Sequence, residues 1–174
     1  MRKIEMCGVR VSIGEREELF AVASGLIGKG GIITSANPEI LAAASESDEL
    51  SCALNESVCI PDGVGVKIGA KILGEETEVY PGVELAEDIL DVKAVRLAVI
   101  GGREGIAERA MQELTVRHRS VIPEFALCGY AIDHAMVEDI LRQRRPDVVF
   151  VCLGSPTQEI FISRMRHVSK KLCS

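Results

Sequence analysis

The sequence predicts an α/β fold: one Rossmann-like domain over residues 1–174, with a mostly parallel sheet and helices on both faces. Three observations carry this expectation. Short aliphatic runs alternate with amphipathic stretches along the chain, the pattern of repeated βα units. Aromatic residues make up only 3% and Trp is absent, so the core must be built from Ile, Val, Leu and Ala, as in sheets covered on both faces. A length of 174 residues, 47% hydrophobic and 26% charged, suits one domain with a sizeable core and not a disordered chain.

Taken in order, residues 7–13 alternate and are expected to form a short edge strand or a hairpin arm. Residues 15–27 place Leu19, Phe20, Val22, Ala23, Leu26 and Ile27 on one helical face, stopped by Gly28 and Gly30. A brief strand at 31–34 leads to Asn37-Pro38, an N-cap followed by Pro at the first helical position. Helices are expected from there and over 48–55, then a strand at 58–60 and helical patterns over 64–73 and 83–91. Residues 96–100 read as a buried strand, and Gly101-Gly102-Arg103-Glu104-Gly105 turns it into a helix with Ile106, Ala110, Met111 and Leu114 on one face. A strand at 123–127, a helix at 134–142, a strand at 147–153 and a last helix after Gly154-Ser155-Pro156-Thr157-Gln158-Glu159 complete the list.

Four strand-to-helix turns, at 34–39, 61–65, 101–105 and 154–159, carry unusual polar or glycine-rich sequence. In one parallel sheet all four lie on the same rim, where α/β proteins bind their ligands. The turn Pro61-Asp62-Gly63-Val64-Gly65 stands out, because a carboxylate sits where a strand hands over to a helix. Gly63 and Gly65 allow a tight turn and close approach of a ligand. Asp62 has two readings here, a cap on the following helix or a chemical group. Gly101-Gly102 offers backbone N–H groups that attract anions, but it lacks the G-x-G-x-x-G spacing of a dinucleotide site and contains Glu104, leaving a phosphate or diphosphate contact of another kind open. Ser155 and Gln158 fit a capping box, or Gln158 offers its amide to a ligand. Thr34, Ser35 and Asn37 share that ambiguity, since hydroxyls and amides both cap helices and bind sugars.

Several classes are set aside. A formal net charge of −6 argues against a nucleic-acid partner held through phosphates. The histidines His118, His134 and His167 do not cluster and are expected at the surface, no Asp-x-Asp clamp for a metal–diphosphate occurs, and no Gly-x-Ser-x-Gly elbow is present. No metal or cofactor is therefore expected. The basic side chains of 142–145 and of Arg164, Arg166, Lys170 and Lys171 read as solvated helix ends. Six scattered cysteines without a Cys-x-x-Cys pair, and a start lacking an apolar leader core, point to buried reduced thiols and a cytoplasmic location.

The segments Ser35-Ala36-Asn37-Pro38-Glu39-Ile40, Ile60-Pro61-Asp62-Gly63-Val64-Gly65, Pro81-Gly82-Val83-Glu84-Leu85, Val99-Ile100-Gly101-Gly102 and Leu153-Gly154-Ser155-Pro156-Thr157-Gln158-Glu159 resemble, in order and approximate spacing, the WecG/TagA/CpsF family of bacterial glycosyltransferases. The resemblance covers nearly the whole chain, and the turns at 60–65 and 153–159 are its more specific parts. It implies metal-independent, inverting transfer of a sugar, N-acetylmannosamine in the best-known members, from a UDP-sugar donor. The implied acceptor is polyprenyl-diphosphate-linked N-acetylglucosamine, and the products feed wall teichoic acid or other surface polysaccharides. Asp62 would be the general base. Asn37 and the neighbouring hydroxyls of Thr34 and Ser35 would line the sugar pocket, Gln158 would bind substrate, and Gly63, Gly65, Gly101, Gly102 and Gly154 complete the expected binding set. The location implied is the inner face of the cell membrane.

Three departures from the family pattern bear on these expectations. Ser35 stands where Thr is usual, with Thr34 beside it. Val79 stands where a basic residue commonly precedes the glycine turn, which removes a diphosphate contact. The sequence stops at Ser174, where family members continue into a further strand and a basic, partly apolar appendage that contacts the membrane. The alternative function is therefore a catalytically weak or inactive UDP-sugar-binding module. Uncovered apolar surface and an incomplete sheet edge also predict a homo-oligomer.

Overall fold

The computed structural model describes residues 1–130 and 132–172, apart from the side chains of His167 and of residues 169–172. In chain order the elements are β1 (Arg2–Met6), β2 (Val9–Ile13), α1 (Arg16–Ser24), β3 (Ile33–Ala36), α2 (Pro38–Ser45), α3 (Asp48–Asn55), β4 (Val58–Pro61) and α4 (Val64–Ile72), followed by α5 (Gly82–Leu90), β5 (Val95–Gly101), α6 (Ile106–Arg117), β6 (Val121–Leu127), α7 (His134–Arg144), β7 (Val148–Cys152) and α8 (Thr157–Leu172). The α/β class and the parallel pairing are as expected. The strands, however, hydrogen-bond into two sheets, and the chain divides into two compact units, Met1–Leu26 with Gly31–Ile89 and Ile27–Gly30 with Leu90–Ser174. Periodicity identifies strands but carries no record of which strands pair.

The first unit holds a four-stranded sheet in the order β1-β2-β4-β3. Its hairpin β1–β2 is antiparallel, with Met6 opposite Val9. The two turn residues Cys7 and Gly8 have φ of 51° and 76°, the paired left-handed geometry that matches strand twist. Strand β1 is absent from the sequence reading because a left-handed Cys is not a turn signal, although Ile4 and Met6 alternate with Lys3 and Glu5. The hairpin arm β2 is consequently an inner strand, not an edge. β4 runs parallel to both β2 and β3, with Ala36 level with Pro61. Val9, Val11, Leu50, Leu54, Cys59 and Val66 sit at the centre of its aliphatic core.

The second unit is a three-stranded parallel sheet, β6-β5-β7. β5 is buried at every position but Arg96, the continuous apolar signature of a central strand covered on both faces. Ile100 joins Val137, Leu141, Phe161, Met165 and Val168 from α7 and α8 in one core cluster, and the buried residues of α6 are Ala107 and Met111. Ile106, expected on the buried face of α6, is instead 47% exposed, since it is the first residue of the helix.

His118 is a further correction. It is 8% exposed and its Nδ1 lies 2.7 Å from Asp91 Oδ1, because it caps the C-terminal end of α6 and not a solvated loop. His134 is exposed, with its ring edge-on to Phe161. The expectations for the side chains of His167, Lys170 and Lys171 lie outside the described residues. Of the five described cysteines none is in a disulfide, but only Cys59 is buried; Cys7, Cys52 and Cys152 are exposed. Among the described residues no helix is long and apolar enough to cross a membrane.

Candidate active site

The four polar turns fall in two pairs, one at the carboxyl ends of each sheet's strands. In the first unit the turns after β3 and β4 are neighbours. A Cβ on Gly65, in the first turn of α4, would lie 2.4 Å from Pro38 Cγ at the start of α2, so the two helix N-termini pack without room for a side chain between them. Asp62 N–H donates to Ala36 O at 2.9 Å and extends the β3–β4 ladder to the rim.

The carboxylate of Asp62 does not cap the helix that follows it. The N-cap of α4 is Gly63, whose φ of 88° is the left-handed conformation that releases the chain from the strand, and no side chain caps the helix. Asp62 Oδ2 accepts instead from Gly82 N–H at 3.2 Å, the first residue of α5. The side chain is half-buried, and its Oδ1 accepts from no group among the described residues. Ser35 closes the third side: a Cβ on Gly82 would fall 2.2 Å from Ser35 Oγ and 3.7 Å from Asp62 Oδ2. Ser35, Asp62 and the N-terminus of α5 thus meet at one point.

Thr34 is not part of that point. It is 7% exposed within β3, and the alternation of a strand turns it to the face opposite Ser35. Asn37 caps α2, its Oδ1 accepting from Ile40 N–H at 2.8 Å. The cap uses its carbonyl and leaves its amide N–H groups for another partner.

The sequence reading missed how α5 is held. Thr77 Oγ1 bonds to Gly14, Glu78 N–H donates to Gly14 O at 3.0 Å and Tyr80 N–H donates to Pro61 O at 2.8 Å, so residues 77–81 lie as a strap across the ends of β2 and β4. Tyr80 is 1% exposed. Its hydroxyl donates to Asp88 on α5, and the Arg16 guanidinium stacks on its ring at 4.0 Å from the centroid while pairing with Glu84 at 2.6 Å and Asp88 at 3.2 Å. Burial, reinforced by the bond to Asp88, pushes the Tyr80 phenol up to about 12. The Tyr80 hydroxyl, backed by Arg16, holds the Asp88 carboxyl below the usual range. This clamp fixes the helix whose first N–H orients Asp62. The only local signal in the sequence was the run Val79-Tyr80-Pro81-Gly82, a lone aromatic before a turn.

The second unit carries the remaining candidates. A Cβ on Gly101 would meet the Cys152 backbone carbonyl at 2.3 Å, so this glycine is required by the approach of β7, whatever else it does. Gly102 N–H donates to Cys152 O at 3.3 Å and its carbonyl accepts from Gly129 N–H at 2.9 Å, so both of its backbone groups are engaged by protein. Gly154 is exposed in the turn into α8. Gln158 makes no capping box with Ser155; its Nε2 donates to Glu159 Oε1 at 2.7 Å. A carboxylate can only accept, so the Gln158 amide is oriented with its carbonyl turned away from Glu159. Glu159 is 3% exposed and its Oε2 has no partner among the described residues. It was missed in the sequence because a Glu in the first turn of a helix ordinarily needs no explanation.

The comparisons with known proteins bear on the whole chain. The model of the glycosyl transferase WecG/TagA/CpsF family matches residues 4–173. A protein of Bacillus spizizenii named N-acetylglucosaminyldiphosphoundecaprenol N-acetyl-beta-D-mannosaminyltransferase is 32% identical over 146 residues, covering 80% of this chain and 56% of the relative. Proteins with the same name from Bacillus subtilis and Staphylococcus aureus are 27% and 28% identical, covering 83% and 75% of this chain. The chain spans 59% and 53% of their lengths.

Proposed function

Because the chain belongs to the WecG/TagA/CpsF family of glycosyl transferases, we propose that it moves N-acetylmannosamine from a UDP-sugar to a polyprenyl-diphosphate-linked N-acetylglucosamine, by inversion and without a metal ion. The acceptor and the sugar are those in the relatives' names. The donor and the metal independence follow from the motif likeness and from the lack of an Asp-x-Asp clamp in the sequence.

The observation that carries the reading is the Asp62 carboxylate at the end of β4, held through Oδ2 by Gly82 N–H and not tied to its own helix. Asp62 Oδ1 takes the proton from the acceptor hydroxyl as its oxygen bonds to the anomeric carbon. The bond from that carbon to the UDP oxygen breaks, and UDP leaves with the electron pair. A single displacement on an alpha-linked donor yields a beta product, the linkage stated in the relatives' names. Ser35 lies beside Asp62 and offers a hydroxyl to the sugar, and Asn37, two residues on at the start of α2, offers its amide N–H groups. Gln158, in the second unit, is a separate candidate contact through its carbonyl.

The test is Asp62→Asn. Turnover, followed as UDP release in the presence of a lipid-linked acceptor, should fall by about 10²–10⁴-fold, the usual contribution of a general base, while the thermal midpoint stays within about 2 °C. Near-normal turnover in that variant would exclude Asp62 as the base. UDP-sugar binding by the wild-type chain with no UDP release would instead favour a binding module, the outcome motivated by Val79.

A further inference from the structure

Helix α4 is apolar on two faces. Val66 and Ala70 are 1% and 0% exposed and pack into the core of the first unit. On the other side Val64, Ile68 and Ile72 follow one another at four-residue intervals and are 69%, 54% and 79% exposed. At about 100° per residue they form one stripe along the helix. Lys67 and Lys71, both exposed, border it on one side. Helices on a protein surface normally turn polar residues to solvent, so a stripe this exposed marks a contact surface.

We propose that this face of α4 docks on an anionic lipid bilayer. Its chemistry is that of an interfacial helix, with aliphatic side chains entering the boundary between headgroups and acyl chains and lysines reaching back to the phosphates. The stripe is also continuous with the candidate site. Val64 is two residues beyond Asp62, and Val83, next to the glycine that holds Asp62, is 71% exposed. A bilayer under these residues would meet the carboxylate at the level where a lipid-linked diphosphate sugar emerges, a clause that rests on the acceptor proposed above. A second copy of the chain fits the stripe less well. A nine-residue helix is about 13 Å long, too short to supply alone the roughly 800 Å² per partner of a stable interface. The net charge of −6 is no obstacle, since charges more than about 8 Å from the lipid are screened at physiological salt, whereas Lys67 and Lys71 would touch it.

The experiment is co-sedimentation of the chain with vesicles of phosphatidylcholine alone and of phosphatidylcholine mixed with phosphatidylglycerol. The wild-type chain should bind the mixed vesicles. Ile68→Gln/Ile72→Gln should weaken that binding at least about tenfold, and Lys67→Gln/Lys71→Gln should lower the preference for anionic vesicles about fivefold per lysine. Both double variants should keep the wild-type melting temperature, because all four side chains are exposed. No binding to either vesicle, or equal binding by wild type and both variants, overturns the proposal. A dimer at micromolar concentration that Ile68→Gln/Ile72→Gln dissociates also overturns it, by assigning the stripe to a second copy. Asp62→Asn should bind vesicles normally. Vesicle binding by a wild-type chain that releases no UDP would sink the transferase reading and leave the docking surface standing.

Discussion

At position 82 a hydrogen is the largest group that fits, because a Cβ there would stand 2.2 Å from Ser35 Oγ. Gly82→Ala should therefore destabilise the protein by about 1–3 kcal/mol, and adding Ser35→Ala should recover most of the loss, since the remaining Ser35 Cβ lies at an ordinary 3.4 Å. Urea denaturation of the two single variants and the double variant measures this as a coupling. Tyr80 gives a pH signature at the same scale. With its phenol raised to about 12 in the fold and near 10 when unfolded, the unfolded chain releases a proton first. The Tyr80 contribution to stability is thus complete below about pH 10 and lost as pH rises towards 12. The melting temperature of wild type should fall more steeply over that interval than that of Tyr80→Phe. Asp88 acts in the opposite direction: its lowered carboxyl contributes stability at neutral pH that is lost on acidification through its folded value. Asp62 itself was legible in the sequence as a carboxylate in a glycine turn. That it is oriented by Gly82, twenty positions on, was not.

At the scale of elements, helix starts were the easiest features to read, since their signals are local. Asn37-Pro38 predicted the first turn of α2, and Asn37 Oδ1 does accept from Ile40 N–H. Asn37→Ala should cost about 1 kcal/mol in denaturant unfolding through loss of the cap. Asn37→Asp should keep the cap and the stability while lowering turnover, because it removes the amide N–H groups that a sugar would meet; equal turnover would restrict Asn37 to capping. The strap at 77–81 falls between the helical patterns expected over 64–73 and 83–91, where the sequence predicts no element. It has no periodicity, and its order comes from bonds to Gly14 and Pro61, residues distant in sequence. The four-residue spacing of Val64, Ile68 and Ile72 was visible, but periodicity could not say that Val66 and Ala70, and not this stripe, face the core.

For the molecule as a whole, the five described cysteines predict that the melting temperature is the same with and without a thiol reductant, because none is cross-linked. A reductant-dependent midpoint would contradict that. The amino-acid sequence by itself determined the α/β class, the order of nearly every element and the family, since propensity, capping and hydrophobic period act within a few residues and survive in a linear reading. Tertiary structure alone decided that the strands form two sheets, that Asp62 bonds to the N-terminus of α5 and not α4, that Tyr80, Arg16 and Asp88 clamp that helix, and that Thr34 and Ser35 part company. Each of these depends on atoms brought together from distant positions, and a pattern local to the chain holds no term for that.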